Sequence, residues 1–400
     1  MFCRACKSTS IAKIIDLGNQ PWGNDFLKKN QIGKEKKYPL VLVFCRTCKI
    51  VQLNFTVKKE VMFKNHTYLS GVTDSLYEHF SKVGYRLRKD FNCFSKRKSI
   101  LDIGSNDGTF LKYFKKINWD ILGVESAKNI SKIANQSKIK TINKFFNENT
   151  AKKINKKFDF INASGVFFHL EELDSVTKGI KFLLKDRGVF VVQFLYMKSI
   201  VENCAFDQIY HEHLLYYNLK TLNNYLNKFD LEIFDCYLTS THGGQMIAYV
   251  CHKGKFKETN NYLSMITEED KKKCNTLQYY KQFSNRVKKL IAKNLKFIKN
   301  SIKQKKIIYG MGAPVKGNTL LNFFKLNKKQ IPVILEINNL RKNTFTPGSH
   351  IPVVLEKDNK MIPDIFYVLA WNFKKEILKK KQDLIKKGVK FYFPIEVKKK

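Results

Sequence analysis

The sequence predicts an α/β protein in three parts, on three observations. Strand-like and helix-like segments alternate from about residue 76 to 252, and the alternation resumes on a smaller scale from about 304 to 400. Two Cys-x-x-Cys pairs lie within the first 75 residues. Alternation of this kind indicates a parallel sheet covered by helices.

In the middle part the strand candidates are residues 99–103, 121–124, 158–163 and 189–194, with helical patterns at 109–116 and 130–136. Residues 253–303 are Lys-rich and polar. Tyr279, Phe283, Val287, Ile291 and Leu295 recur there at helical spacing, so this stretch is a connector of one or two long helices. The third part opens with a strand at 306–309, a Gly-rich turn and a helix, with further strands at 333–336, 365–370 and 389–393. The expected units are therefore 1–75, 76–252, the connector 253–303, and 304–400.

A formal charge of +40 would ordinarily suggest nucleic acid or an anionic membrane. The excess is mostly Lys, spread over the whole length as solvated runs such as 34–37, 152–157 and 379–381, which argues against a nucleic-acid footprint. Apolar runs such as 189–192 fall far short of the roughly 20 residues needed to span a bilayer. With no apolar signal core at the start, a cytoplasmic protein is expected. Its nine Cys are then metal ligands or free thiols and not disulfides.

Cys3-Arg-Ala-Cys6 and Cys45-Arg-Thr-Cys48 are two chelating knuckles. Together they complete a tetrahedral four-thiolate zinc site. Such a closed shell leaves no position for substrate, so the role expected is structural. Redox Cys-x-x-Cys chemistry is the rival reading. Cys93, Cys204, Cys236, Cys251 and Cys274 are scattered and need no function.

The stretch Ser99-Ile-Leu-Asp-Ile-Gly-Ser-Asn-Asp-Gly-Thr-Phe-Leu111 is a strand, a Gly104-x-x-x-Gly108 loop and a helix. A dinucleotide fingerprint would need Gly-x-Gly-x-x-Gly. Asp102 and Asp107 would repel a pyrophosphate but suit a cationic sulfonium bearing an amino group. Leu122-Gly-Val-Glu125 ends the next strand with a carboxylate placed to hold a ribose diol. The cofactor expected is S-adenosylmethionine, held by Asp102, Gly104, Ser105, Asp107, Gly108 and Glu125, with a nicotinamide cofactor as the alternative.

The chain resembles the bacterial sugar C-methyltransferases of the tetronitrose C-3 methyltransferase type over nearly its whole length. The resemblance rests on both Cys pairs, Leu17-Gly-Asn-Gln-Pro-Trp-Gly-Asn24, Asp102–Gly108, Phe206-Asp-Gln-Ile-Tyr-His-Glu-His-Leu214 and His242-Gly-Gly244. It continues through Lys316-Gly-Asn-Thr-Leu-Leu321, Pro347-Gly-Ser-His-Ile-Pro352 and Leu369-Ala-Trp-Asn-Phe373. It implies a class I methyltransferase Rossmann-like core between an N-terminal zinc-binding domain and a C-terminal Rossmann-like, nucleotide-sugar-binding domain. It also implies a dTDP-linked 4-keto-deoxysugar as substrate. His213 is then the base, with Tyr210 and Glu212 positioning sugar and imidazole, and His169 a second imidazole of the site. Ser164-Gly165, Gln245, Gly71 and Gln193 depart from the family pattern and bear on which sugar is used.

Carbon methylation needs a base, a holder for the enolate oxygen and in-line geometry. Tyr210-His-Glu-His213 groups the residue types that supply them. A metal site is the rival for that cluster, and a buried structural imidazole is the rival for His169. Tyr68, Lys316, Asn318, His350 and Trp371 are expected to contact the nucleotide sugar. Lys316, at a helix N-terminus, would meet its phosphates. A purely structural turn is the alternative there, and Trp371 either stacks on a base or packs in the core. Two functional alternatives stand: O- or N-methylation of a small metabolite, and a zinc-containing nucleic-acid-binding module.

Overall fold

The computed structural model of the chain describes residues 1–63, 71, 74–239 and 243–396. Among these residues there are three sheets. The first is antiparallel and made by β1 (Ile11–Pro21), β2 (Lys37–Cys45) and β3 (Val51–Leu53). Cys45 closes β2, and Cys3 and Cys6 precede β1, so the sheet delivers both knuckles to one end. A short α1 (Lys59–Phe63) leads out of it.

The core follows as α2 (Asp74–Asp90), β4 (Ser99–Ile103), α3 (Thr109–Lys115), β5 (Asp120–Val124), α4 (Lys128–Gln136), β6 (Thr141–Ile142), α5 (Glu148–Ile154), β7 (Phe158–Ser164), α6 (Leu173–Leu183) and β8 (Leu184–Leu195). After these come α7 (Met197–Glu202), β9 (Leu215–Tyr216), α8 (Leu219–Leu226), β10 (Leu231–Thr239) and β11 (Gln245–His252). The sheet order is β10-β11-β8-β7-β4-β5-β6. Strands β4 to β8 are parallel and wholly or largely buried, which explains their nearly continuous apolar sequences. The sheet is not parallel throughout, however. β11 lies antiparallel between β8 and β10. Only residues 240–244 join β10 to β11, too few for the crossover a parallel pair requires.

β9 does not join this sheet. It pairs with β3 and gives the N-terminal sheet its fourth strand, Val51 facing Tyr216 and Gln52 facing Leu215. The segment just after His213 is thus woven into the cysteine domain.

Two helices connect onward, α9 (Asn260–Lys271) and the 27-residue α10 (Leu277–Lys303), capped by the Thr259 and Thr276 side chains. The face α10 buries carries Tyr280, Phe283, Val287, Asn294 and Ile298, whereas Leu295 is exposed. A strict four-residue step drifts about 40° off a helix face each time, so the expected stripe leaves the core by its last member.

The third unit comprises β12 (Ile308–Met311), α11 (Val315–Phe323), β13 (Ile334–Glu336), β14 (Thr344–Phe345), β15 (Pro352–Leu355), β16 (Ile365–Val368), α12 (Lys374–Lys380), α13 (Gln382–Lys386) and β17 (Lys390–Tyr392). Its order is β14-β15-β13-β12-β16-β17, parallel except for β14. No helix among the described residues is long and apolar enough to cross a membrane.

Candidate active site and zinc centre

The Cys3, Cys6, Cys45 and Cys48 sulfurs all lie within 4.8 Å of one another, and none is in a disulfide. Cys3 and Cys48 are 3.5 Å apart, as are Cys6 and Cys45. Four thiolates about 2.3 Å from a common centre fit such a cluster. Lys7 and Lys49, one residue past each knuckle, adopt positive φ (63° and 65°) and curl the chain so that both thiols of a pair face inward. Arg4, between two ligands, takes the Gln52 side-chain oxygen on its backbone N–H (2.8 Å) and reaches Thr56 with its guanidinium (2.6 Å), tying the knuckle to β3.

In the core sheet β4 has β5 on one side and β7 on the other, so the connections leave it in opposite directions. Ligands of open α/β sheets bind at the carboxyl ends beside this switch point. Asp102, near the end of β4, is 4% exposed and accepts a 2.6 Å hydrogen bond from the Asn162 amide. Burial pushes its carboxyl up to about 7, the Asn162 bond opposing and the Glu125 charge adding to the effect. Gly104 turns at φ 70°, and a Cβ there would stand 2.4 Å from Val166. At the end of β5, the Glu125 carboxylate accepts from the Asn106 (3.0 Å) and Ala127 (2.8 Å) backbone N–H groups. Burial raises its pKa, and these bonds work against the rise. Oε1 also accepts from the Ser126 hydroxyl at 3.4 Å, and Oε2, which accepts from the Asn106 N–H, keeps a second lone pair.

The other loop residues shape the cradle. Asp107 accepts from the Thr109 N–H (3.1 Å) and hydroxyl (2.6 Å) at the start of α3, and it also accepts from Gly71 N–H (2.9 Å). Gly108 has φ 78°, and a Cβ there would lie 2.8 Å from Ile139, so it sets how closely the loop packs. The Ser105 hydroxyl is buried without a hydrogen-bond partner among the described residues and lies against Gly123.

The next loop, after β7, carries His169. The Phe168 carbonyl accepts from the N–H groups of Leu214 (2.9 Å) and Leu215 (3.1 Å), which brings that loop onto the Tyr-His-Glu-His segment. The rings of His169 and His213 stack with centroids 5.2 Å apart and 19° between planes. Phe168 meets His213 edge-on at 4.8 Å, and the Tyr210 ring centroid lies 3.7 Å from that of His213. His213 is 4% exposed, and its Nδ1 is 2.7 Å from the Gln208 carbonyl. A carbonyl only accepts, so Nδ1 carries the proton and the lone pair of the neutral ring sits on Nε2.

Glu212, one residue before that imidazole, faces the zinc-binding unit. Its carboxylate, 6% exposed, accepts from the Trp22 indole N–H at 2.7 Å. Burial pushes Glu212 up to about 7, with Trp22 and the Arg341 charge pulling it back. His211 points away toward the cysteine domain, its Nε2 3.3 Å from the Tyr38 carbonyl, and burial lowers it to about 4.

The expected substrate contacts of the third unit form contacts between units. The Asn318 amide donates to the Gly23 carbonyl at 2.6 Å. His350 Nε2 lies 2.5 Å from Glu35, which also accepts from Gly348 N–H at 3.1 Å. The Trp371 indole donates to Asp207 at 2.6 Å, and the Lys316 ammonium sits 3.5 Å over the Trp371 ring. Trp371 is 1% exposed and Lys316 6%, so in this arrangement neither presents itself for base stacking or phosphate binding. Tyr68 lies outside the described residues. Sequence reasoning assigned no role to Gln208, Asp207 or Trp22. All three stand inside segments already singled out, but Gln208 acts through its backbone and leaves no side-chain signal.

Three family models match in succession: a zinc binding domain over residues 3–63, a methyltransferase domain over 77–235, and a C-methyltransferase C-terminal domain over 240–396. Together the three models span nearly the whole chain. The chain is an S-adenosylmethionine-dependent methyltransferase with an N-terminal zinc-binding unit. The C-methyltransferase NovU of Streptomyces niveus is 25% identical over 399 residues, 98% of this chain and 95% of that protein. Among solved structures, the PH0226 protein of Pyrococcus horikoshii OT3 is 15% identical with a TM-score of 0.38, covering 49% of this chain and 100% of its own. A SAM-dependent methyltransferase of Archaeoglobus fulgidus is 18% identical with a TM-score of 0.35, covering 44% and 94%. The third family model begins at residue 240, before β11 of the core sheet.

Proposed function

We propose that this C-methyltransferase methylates a carbon next to the ketone of a nucleotide-linked keto-deoxysugar, with His213 as general base. The observation that carries the reading is the Gln208 carbonyl on His213 Nδ1, which fixes the proton of the neutral ring on Nδ1 and so leaves Nε2 as its basic nitrogen. His213 removes the proton from the carbon beside the ketone and is left as imidazolium. The stacked His169 and the Tyr210 phenol supply donors for the enolate oxygen at the same place. Bound S-adenosylmethionine supplies an electrophilic methyl group, taken up by the enolate carbon with departure of a neutral thioether. Asp102 and Glu125 hold the amino and ribose ends of the cofactor, and the four cysteines hold zinc away from the chemistry.

The test is the product. A dTDP-4-keto-6-deoxysugar incubated with enzyme and S-adenosyl[methyl-13C]methionine should give a 13C methyl signal coupled to a ring carbon. A signal at O-methyl or N-methyl shift overturns the proposal.

A further inference from the structure

In the C-terminal sheet β12 has β13 on one side and β16 on the other, so a second switch-point crevice opens at the carboxyl ends of β12 and β16. Such a crevice ordinarily receives a ligand. Lys316, in the first turn of α11, and Trp371, just past β16, stand at it. They meet a piece of the core: the single 3₁₀ turn Phe206–Gln208.

We infer that this crevice has the enzyme's own turn as its ligand, and that Asp207, Lys316 and Trp371 are positioning residues that hold the Gln208 carbonyl on the catalytic imidazole. The inference rests on the reading of His213 as base.

The grip has two halves. The Phe206 ring packs against Phe323 and Phe324 at the end of α11, centroids 5.5 and 5.6 Å away. Asp207, fully buried, takes the Trp371 indole N–H on one oxygen and faces the Lys316 charge. The next residue is Gln208, whose carbonyl accepts from His213 Nδ1 at 2.7 Å and the Tyr216 hydroxyl at 3.3 Å. One turn thus couples the C-terminal domain to the proton position on the base. Gly243 belongs to the same packing, since a Cβ there would come within 2.7 Å of the indole.

Stability alone explains this cluster poorly. The Lys316 ammonium and the second Asp207 oxygen are buried without hydrogen-bond partners among the described residues. Buried opposite charges left short of hydrogen bonds stabilise less than apolar residues of the same volume would. What the pair provides is direction: two charges and an indole N–H admit one orientation of the turn, whereas greasy packing admits several. Orientation matters because the wrong imidazole tautomer disables a base even when the residues are all present.

The experiment compares Trp371→Phe, which removes the indole N–H donor while keeping an aromatic ring in place, with the double variant Asp207→Asn/Lys316→Met, which leaves no lone buried charge. Full-length enzyme with zinc bound is used, and His213→Asn is the benchmark. Turnover, KM for a dTDP-4-keto-6-deoxysugar, affinity for S-adenosylhomocysteine and the 15N shifts of labelled histidine are read for each. The clamp variants should lose roughly tenfold or more in kcat, less than the loss on removing the base itself, while KM and cofactor affinity stay within about twofold. The His213 15N pattern should move from a single Nδ1–H form toward a mixture. Wild-type kcat with an unchanged pattern in the clamp variants overturns the inference, as does a loss confined to KM, which would return Lys316 and Trp371 to substrate binding. Should one variant fail to fold, the other decides, and a wild-type His213 protonated on Nε2 when neutral overturns it without any variant. If His213→Asn keeps full turnover, it is the identity of the base that fails, whereas the clamp is still judged by the tautomer.

Discussion

The indole N–H of Trp22, in the zinc-binding unit, donates a 2.7 Å hydrogen bond to the carboxylate of Glu212, in the methyltransferase core, across 190 positions of sequence. Arg341 of the C-terminal domain adds its charge to the same carboxylate. A buried acid where three units meet makes their assembly pH-dependent. In the unfolded chain Glu212 loses its proton near the ordinary glutamate value, roughly 4.3, whereas in the fold it keeps it to about 7. Between those values the folded state binds the extra proton, so stability falls as pH rises across the window. His211 works in the opposite sense, being held neutral when folded. The comparison of Glu212→Gln with wild type isolates the carboxylate. The variant's relative stability should rise from about pH 5 to about pH 7 and then level off. Denaturant melts at several pH values measure it, and a pH-independent difference would show that Glu212 titrates normally.

The His350–Glu35 pair makes a contrasting case. His350→Ala leaves the buried Glu35 carboxylate short of its strongest partner, which should cost about 1–3 kcal/mol of stability. If the residue serves the interface and not the sugar, KM should not change. A large KM increase at unchanged stability would reinstate it as a substrate ligand.

Zinc should be present at about one ion per chain in freshly purified protein. Because β9 completes the cysteine domain's sheet directly after His213, metal loss should be felt at the active site. Cys48→Ser, or strong chelation, should lower the melting temperature and also weaken turnover in the protein that remains folded. Metal analysis and activity on the same samples check this. Full stability and activity without zinc would contradict it.

Glu125→Ala should weaken S-adenosylhomocysteine binding by more than about tenfold, since it removes charge-assisted hydrogen bonds of roughly 1.5–3 kcal/mol each. It also releases the Asn106 and Ala127 N–H groups. Glu125→Gln, which keeps an acceptor oxygen for the backbone, should lose less. Calorimetric titration separates the two, and equal affinities across wild type and both variants would show that the acid does not touch the cofactor.

Much of the core was legible in the sequence because local signals and tertiary demand agree there. The run Ser99–Ile103 is apolar because β4 is buried on both faces, and Gly104 follows because the turn needs positive φ and close approach to Val166. The four cysteines could be grouped because their spacing is itself the chelating geometry. What escaped was set by long-range contact. β9 is two residues long and looks like part of a loop until β3 lies beside it. Asn318, Lys316, His350 and Trp371 suggested a ligand site because polar and aromatic residues at the ends of parallel strands usually do mark one. Nothing in their own sequence reveals that Gly23, Asp207 and Glu35 reach them from other units.

The most direct test of His213 as the base follows the substrate proton itself. A dTDP-4-keto-6-deoxysugar is incubated in deuterium oxide with enzyme and S-adenosylhomocysteine, so that the site is assembled but no methyl group can move, and the hydrogen beside the ketone is followed by NMR. Wild-type enzyme should replace it with deuterium, and His213→Asn should slow that exchange by about 10²–10⁴ while still binding both ligands. Exchange at the wild-type rate in the variant, or no exchange in a wild-type enzyme that methylates the sugar, would contradict the account.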